Sequence, residues 1–234
     1  MKTKILILCL IVLGTFSANR LNAKEETRDV ASFSEIALKV PATLYLKQGD
    51  QQSVKIEAKE STLEDLITEV KGRTLTIRFP NTNMFQRNFN PGKIDIYITV
   101  PDIDALTVSG SGDILAESIK SRIIELLVSG SGDISIDKLN SERITSSISG
   151  SGNIILNGGE VANELNVAIS GSGDVKAKDF EATEVSVRIS GSGNCSVTSN
   201  GSIKARIAGS GNVNYKGNPS IDSSVAGSGR VKEM

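Results

Sequence analysis

The stretch Val-Ser-Gly-Ser-Gly-Asp-Ile at 108–114 returns unchanged at 128–134, and returns again as Ile-Ser-Gly-Ser-Gly-Asn-Ile at 148–154. The tripeptide Gly-Ser-Gly begins at Gly110, Gly130, Gly150, Gly171, Gly191, Gly209 and Gly227, with spacings of 20, 20, 21, 20, 18 and 18 residues. A period near 20 belongs to stacked coils, since helical-hairpin repeats are longer. Two positions before each first Gly stands Val108, Val128, Ile148, Ile169, Ile189, Ile207 or Val225. Four positions after it stands Ile114, Ile134, Ile154, Val175, Cys195, Val213 or Val231. A flexible Gly/Ser linker has no reason to keep aliphatic residues in phase with its glycines.

Around each tripeptide apolar and polar residues alternate, which puts one face of a strand inward and the other outward. A short strand enters the corner and a second leaves it, with glycine allowing positive φ or close backbone approach. Further apolar positions follow at Ile119, Leu139, Val161 and Phe180, then at Ile124, Ile144, Leu165 and Val185, so each coil has about three sides. The pattern predicts an all-β chain whose repeat region, 101–234, is a right-handed parallel β-helix of about seven coils. Stacked at ~4.8 Å per winding, it would be a rod of roughly 30 Å. The columns weaken where Ser146 and Ser223 replace the aliphatics seen at Leu106 and Val167.

Before the repeats, strands are expected at Ile36–Val40, Thr43–Leu46, Val54–Ala58, Leu75–Phe79 and Ile94–Val100, with a turn at Gly49-Asp50. Ser61-Thr62-Leu63-Glu64, with Leu66 and Ile67, resembles a capped short helix. Residues 33–100 read as an N-terminal β-rich cap region covering the first open edge, either as a separate unit or as irregular early coils. Residues 24–32 read as a polar tether.

The chain opens on Lys2 and Lys4, an apolar run from Ile5 to Leu13, and Leu21-Asn22-Ala23. This is the form of a secretory signal over residues 1–23, cleaved after Ala23. Its apolar run is too short for a membrane span, and no other segment approaches that length. Export to the periplasm, the cell surface or the medium follows. Cys9 would leave with the signal, and lies too early in it for a lipoprotein cysteine. Cys195 is then alone and sits in an aliphatic column, so it reads as core filler.

Removing Lys2, Lys4 and Arg20 leaves 23 basic against 27 acidic residues. This balance gives a nucleic-acid partner no basic face to bind. The sequence contains no His, so the serines of the tripeptides have no imidazole base. The tripeptides also lack the lysine and following helix of a phosphate-binding loop. No catalytic residues and no cofactor are assigned.

The residue after each tripeptide is Asp113, Asp133, Asn153, Asp174, Asn194, Asn212 or Arg230. In register these form a structural ladder, with Asn153, Asn194 and Asn212 bonding along the stack and to the turns. The alternative is calcium at Asp113, Asp133 and Asp174, because two carboxylates one rung apart favour a hard cation. Arg230, Lys232 and Glu233 read as charges guarding the terminal edge against end-to-end pairing. The loop from Pro80 to Gly92 holds Met84, Phe85 and Phe89. These side chains either fold back on the core or form a partner-binding tip.

The phased tripeptides, with Phe33-Ser-Glu-Ile36, Tyr45-Leu-Lys-Gln-Gly-Asp50 and Val54-Lys-Ile-Glu-Ala58, resemble the putative auto-transporter adhesin, head GIN domain family. It comprises bacterial envelope proteins frequent in Bacteroidetes. The resemblance covers essentially the whole mature chain. It implies an exported β-helical protein at the surface or in the periplasm, and carries no catalytic residues with it. The expected function is a non-enzymatic adhesion or interaction scaffold with a protein or glycan partner. Alternatives are a polysaccharide-acting enzyme on one β-helix face, or a purely structural periplasmic component. Glycan binding is disfavoured by the absence of Trp and by only nine aromatic residues.

Overall fold

The computed structural model describes residues 23–80 and 90–234. It is a parallel β-solenoid with two long sheet faces that share one hydrophobic core. One face, here called the entry face, runs through Ala105–Gly110, Ile123–Gly130, Arg143–Gly150, Ala162–Gly171, the end of Asp174–Gly191, Ser202–Gly209 and Ser220–Gly227. The other, the exit face, runs through Asp113–Ala116, Ile134–Ile136, Asn153–Asn157, the start of Asp174–Gly191, Asn194–Thr198, Asn212–Lys216 and Arg230–Glu233. The short pair Ile119–Lys120 and Leu139–Asn140 makes a third side in the first windings.

The seven corners enclose about six windings, one fewer than the corner count suggests, because a full winding runs from one corner to the next. At every step the N–H groups of the Ser and second Gly both donate to the first Gly carbonyl of the winding before. Ser151 N and Gly152 N reach Gly130 O at 2.8 and 3.1 Å, for example. The two aliphatic columns are buried beneath these corners through Ile207 and Val213. In the last winding Val225 is 40% exposed and Ile221 41%, because no further coil covers them. Arg230 and Lys232 lie on that same uncovered rung, and Arg206 forms an ion pair with Asp222 beside it.

The apolar site expected at Val161 does not exist: that side chain is 57% exposed. The 21-residue winding turns outward at Gly158-Gly159, and Ala162 takes the inward position, paired with Ala182. Ser146 does enter the core, fully buried, and its hydroxyl has no hydrogen-bond partner among the described residues. It faces Leu126 and Val167 in the adjoining rungs. Replacing it with valine should remove an unmet polar group, add apolar packing and raise stability by about 1–2 kcal/mol. Urea denaturation checks this, and a lower midpoint would show that the site has no room for the second methyl.

The leader is not stacked in chain order. Glu35–Leu38 lies between Thr74–Arg78 and Ala105–Gly110, and Thr43–Gln48 lies between Asp95–Val100 and Asp113–Ala116, all parallel. The first strands of the leader are thus a winding inserted beneath the first repeat, and both sheet faces and the core continue through it. Beyond them the sheets turn antiparallel, through Ser53–Lys59 and Ile67–Lys71. Helix Glu60–Asp65 connects these two strands across the end of the core and buries Leu63, with Leu66 buried just beyond it. It begins after Lys59 with no side-chain cap, so Ser61 is not the capping residue that the sequence suggests. Ile67 belongs to a strand and not to the helix. The strand Ala23–Thr27, which takes in the first residues of the stretch read as a tether, pairs antiparallel with Ser53–Lys59. No helix among the described residues is long and apolar enough to cross a membrane.

Candidate functional site

Strand alternation turns Tyr45 and Tyr97 outward, since their neighbours Leu44, Leu46, Ile96 and Ile98 fill the core. Sheet register then places them on one rung line of the exit face: Lys55, Tyr97, Tyr45, Leu115, Ser135, Ile155 and Lys176, each directly opposite the next. The tyrosine rings stack, with centroids 5.1 Å apart and planes 13° from parallel. Lys55 Nζ lies 5.0 Å from the Tyr97 ring centroid, on the end of the stack away from Tyr45. The same ammonium is held by Glu25 at 3.0 Å and Glu57 at 3.3 Å. The hydrogen bond that Lys55 donates to Glu25 leads in raising the Lys55 pKa above its ordinary value. Burial, aided by the Glu57 and Asp95 carboxylates, raises that of the Tyr97 phenol.

On the other side of Tyr45 the ladder steps down. Leu115 is shorter than a tyrosine, Ser135 is shorter still, and Ile155 rebuilds the height two rungs on. The step leaves a notch of about 410 Å³ walled by Tyr45 and floored by Leu115 and Ser135. Lys47, Glu117 and Asp137 also line it. Tyr45 and Leu115 are 37% and 38% exposed, so aromatic and aliphatic surface meets solvent here beside two carboxylates. A cavity of this size that combines apolar walls with a few polar groups suits a small ligand or a partner side chain.

The sequence-predicted residues lie elsewhere. Asn153 donates through both its backbone N and its Nδ2 to Asp133 Oδ1, at 2.7 and 2.9 Å. Asn194 does the same to Asp174, at 2.9 and 3.0 Å, and Asn212 to Asn194 Oδ1, at 3.2 and 3.0 Å. Asp133 N donates to Asp113 Oδ1 at 2.9 Å. Asp174 stands two windings from Asp133, with Asn153 between. No three His, Cys, Asp or Glu groups come together as a metal site among the described residues. Burial pushes the Cys195 thiol far above its ordinary range. Met84, Phe85 and Phe89 lie outside the described residues, and Ala23 pairs with Lys59 at the start of the outermost strand. In the sequence, strand alternation marks Tyr45 and Tyr97 as outward only one at a time. Their meeting needs a register between three separated segments.

These features define a parallel β-solenoid that presents long sheet faces, one of them carrying an aromatic-walled notch. The chain belongs to the family described as putative auto-transporter adhesin, head GIN domain, which matches residues 32–219. Among solved structures, a putative adhesin from Bacteroides fragilis is 23% identical with a TM-score of 0.85, over 91% of this chain and 97% of its own. A putative lipid binding protein from Parabacteroides distasonis is 25% identical with a TM-score of 0.73, over 92% and 98% of the two chains. A putative adhesin from Parabacteroides merdae is 22% identical with a TM-score of 0.71, over 92% and 97%. No curated protein matches the chain.

Proposed function

We propose that this protein is exported to the periplasm or cell surface and acts there, without catalysis, as an adhesion or interaction scaffold whose contact point is the notch beside Tyr45. The carrying observation is the aromatic step on an otherwise low, polar sheet face, where exposed apolar surface adjoins unspent polar groups. Family membership and the basic and apolar opening of the chain support the surface setting.

Ser135→Trp should fill the notch from its floor while leaving the core untouched. Its binding to intact epithelial cells and to envelope extracts should fall about tenfold at an unchanged melting temperature. Binding equal to that of the unaltered protein on both materials overturns the contact point. Protease treatment of intact producing cells tests the surface location.

A polysaccharide-acting enzyme is the second reading, and one observation favours it: Glu117 and Asp137 line the same notch. Glycosidases use such carboxylate pairs. Release of reducing ends from glycan polymers, lost in Glu117→Gln and Asp137→Asn, would replace the first reading with this one.

A further inference from the structure

The tyrosine stack has two ends, and one of them shows what it accepts. At the Tyr97 end a lysine ammonium sits over the ring, with the Glu25 and Glu57 carboxylates completing its surroundings. The ring quadrupole and the carboxylates act in the same sense, both favouring a cation. At the Tyr45 end the same parts recur without the cation: a ring of the stack, then Glu117 and Asp137. Both acids are exposed, and neither makes an ion pair among the described residues. Leu115, with the small Ser135 beside it, gives the floor a short apolar stretch suited to the methylene stem that a lysine lays along a surface. Among the described residues Lys47 is the only base lining the notch, so two acids against one base leave it net negative.

From this internal repetition we infer that the notch receives a lysine side chain presented by a partner polypeptide. The ammonium lies against Tyr45 between Glu117 and Asp137, as that of Lys55 lies against Tyr97. The inference rests on the notch being the contact point and adds the chemistry of what enters it.

The test uses the full chain and the probe acetyl-Gly-Lys-Gly-amide, with its norleucine analogue as a control that keeps the stem and lacks the charge. Tyrosine fluorescence is a direct reporter, because the chain has no Trp and three Tyr, two of them in the stack. The lysine probe should bind about tenfold more tightly than the norleucine probe, and added salt should weaken it. Glu117→Gln and Asp137→Asn should each weaken the lysine probe. Lys47→Gln should tighten it, a gain that a merely structural role would not produce.

Equal binding of the two probes overturns the inference and leaves an apolar contact point. Saturable binding of cellopentaose with none of the lysine probe overturns it in favour of a glycan. If neither peptide nor sugar binds, the inference fails. The contact-point reading then stands or falls separately, on whether Ser135→Trp reduces binding to cells and extracts.

Discussion

Gly152→Ala is expected to destabilise the protein by at least about 3 kcal/mol, enough to lower its melting temperature by roughly 6–12 °C. A Cβ at this position would be driven into the carbonyl oxygen of Gly132 and would lie 2.8 Å from Val128 Cγ1. Neither neighbour can yield. The oxygen is fixed in the stack of corners, and the valine is a fully buried member of the aliphatic column. The same move would disturb the Gly152 N–H, which donates to Gly130 O at 3.1 Å. Gly150 carries a second restriction, a φ of 133°, which side-chain-bearing residues rarely adopt. Ser151 between them is exposed, and Ser151→Ala should change stability by less than about 0.5 kcal/mol. Thermal and urea denaturation of the two variants measure the contrast. A Gly152→Ala protein melting beside the unaltered one would mean that the windings do not stack through their corners.

Phe180→Ala should cost about 3–5 kcal/mol. Phe180 is 2% exposed, and it is the largest side chain shut fully inside the core among the described residues. The reason for its size lies in the winding before it. There the chain turns outward at Gly158-Gly159, and a Cβ on Gly159 would collide with Leu139 O. Val161 points to solvent, so that winding supplies no large apolar side chain at the level where Ile119 and Leu139 fill the ones below. A phenyl ring reaches where an aliphatic one would leave space. Phe180→Leu should therefore recover part of the loss, and a cost below about 1 kcal/mol for the alanine variant would show that the gap closes without the ring.

Gly150, Gly152 and their equivalents were legible because their constraint is local and repeated. Each corner must admit the carbonyl of the winding below, and only glycine leaves it room, so the tripeptide prints the winding into the chain. The columns at Val108 and Ile114 were legible for the same reason, since a strand entering or leaving a fixed corner has a fixed inward parity. Val161 was misread because periodic spacing cannot distinguish a side chain that continues a column from one displaced by an extra residue in a turn. Ile67 and Ala23–Thr27 were misread because their antiparallel partners, Arg78 and Ser53–Lys59, confer the strand state from outside the segment.

The solenoid, its corner ladder and the family likeness thus came from residues considered in their own order. Such properties depend on neighbours along the chain or on repetition at constant spacing. The notch belongs to the tertiary structure alone. It exists because a leader winding is inserted beneath the first repeat, which sets Tyr97 against Tyr45 and Tyr45 against Leu115. No periodicity records that order of stacking. It follows from how the two sheets share one core, and the height of a side chain relative to the next rung has meaning only after the rungs are assigned.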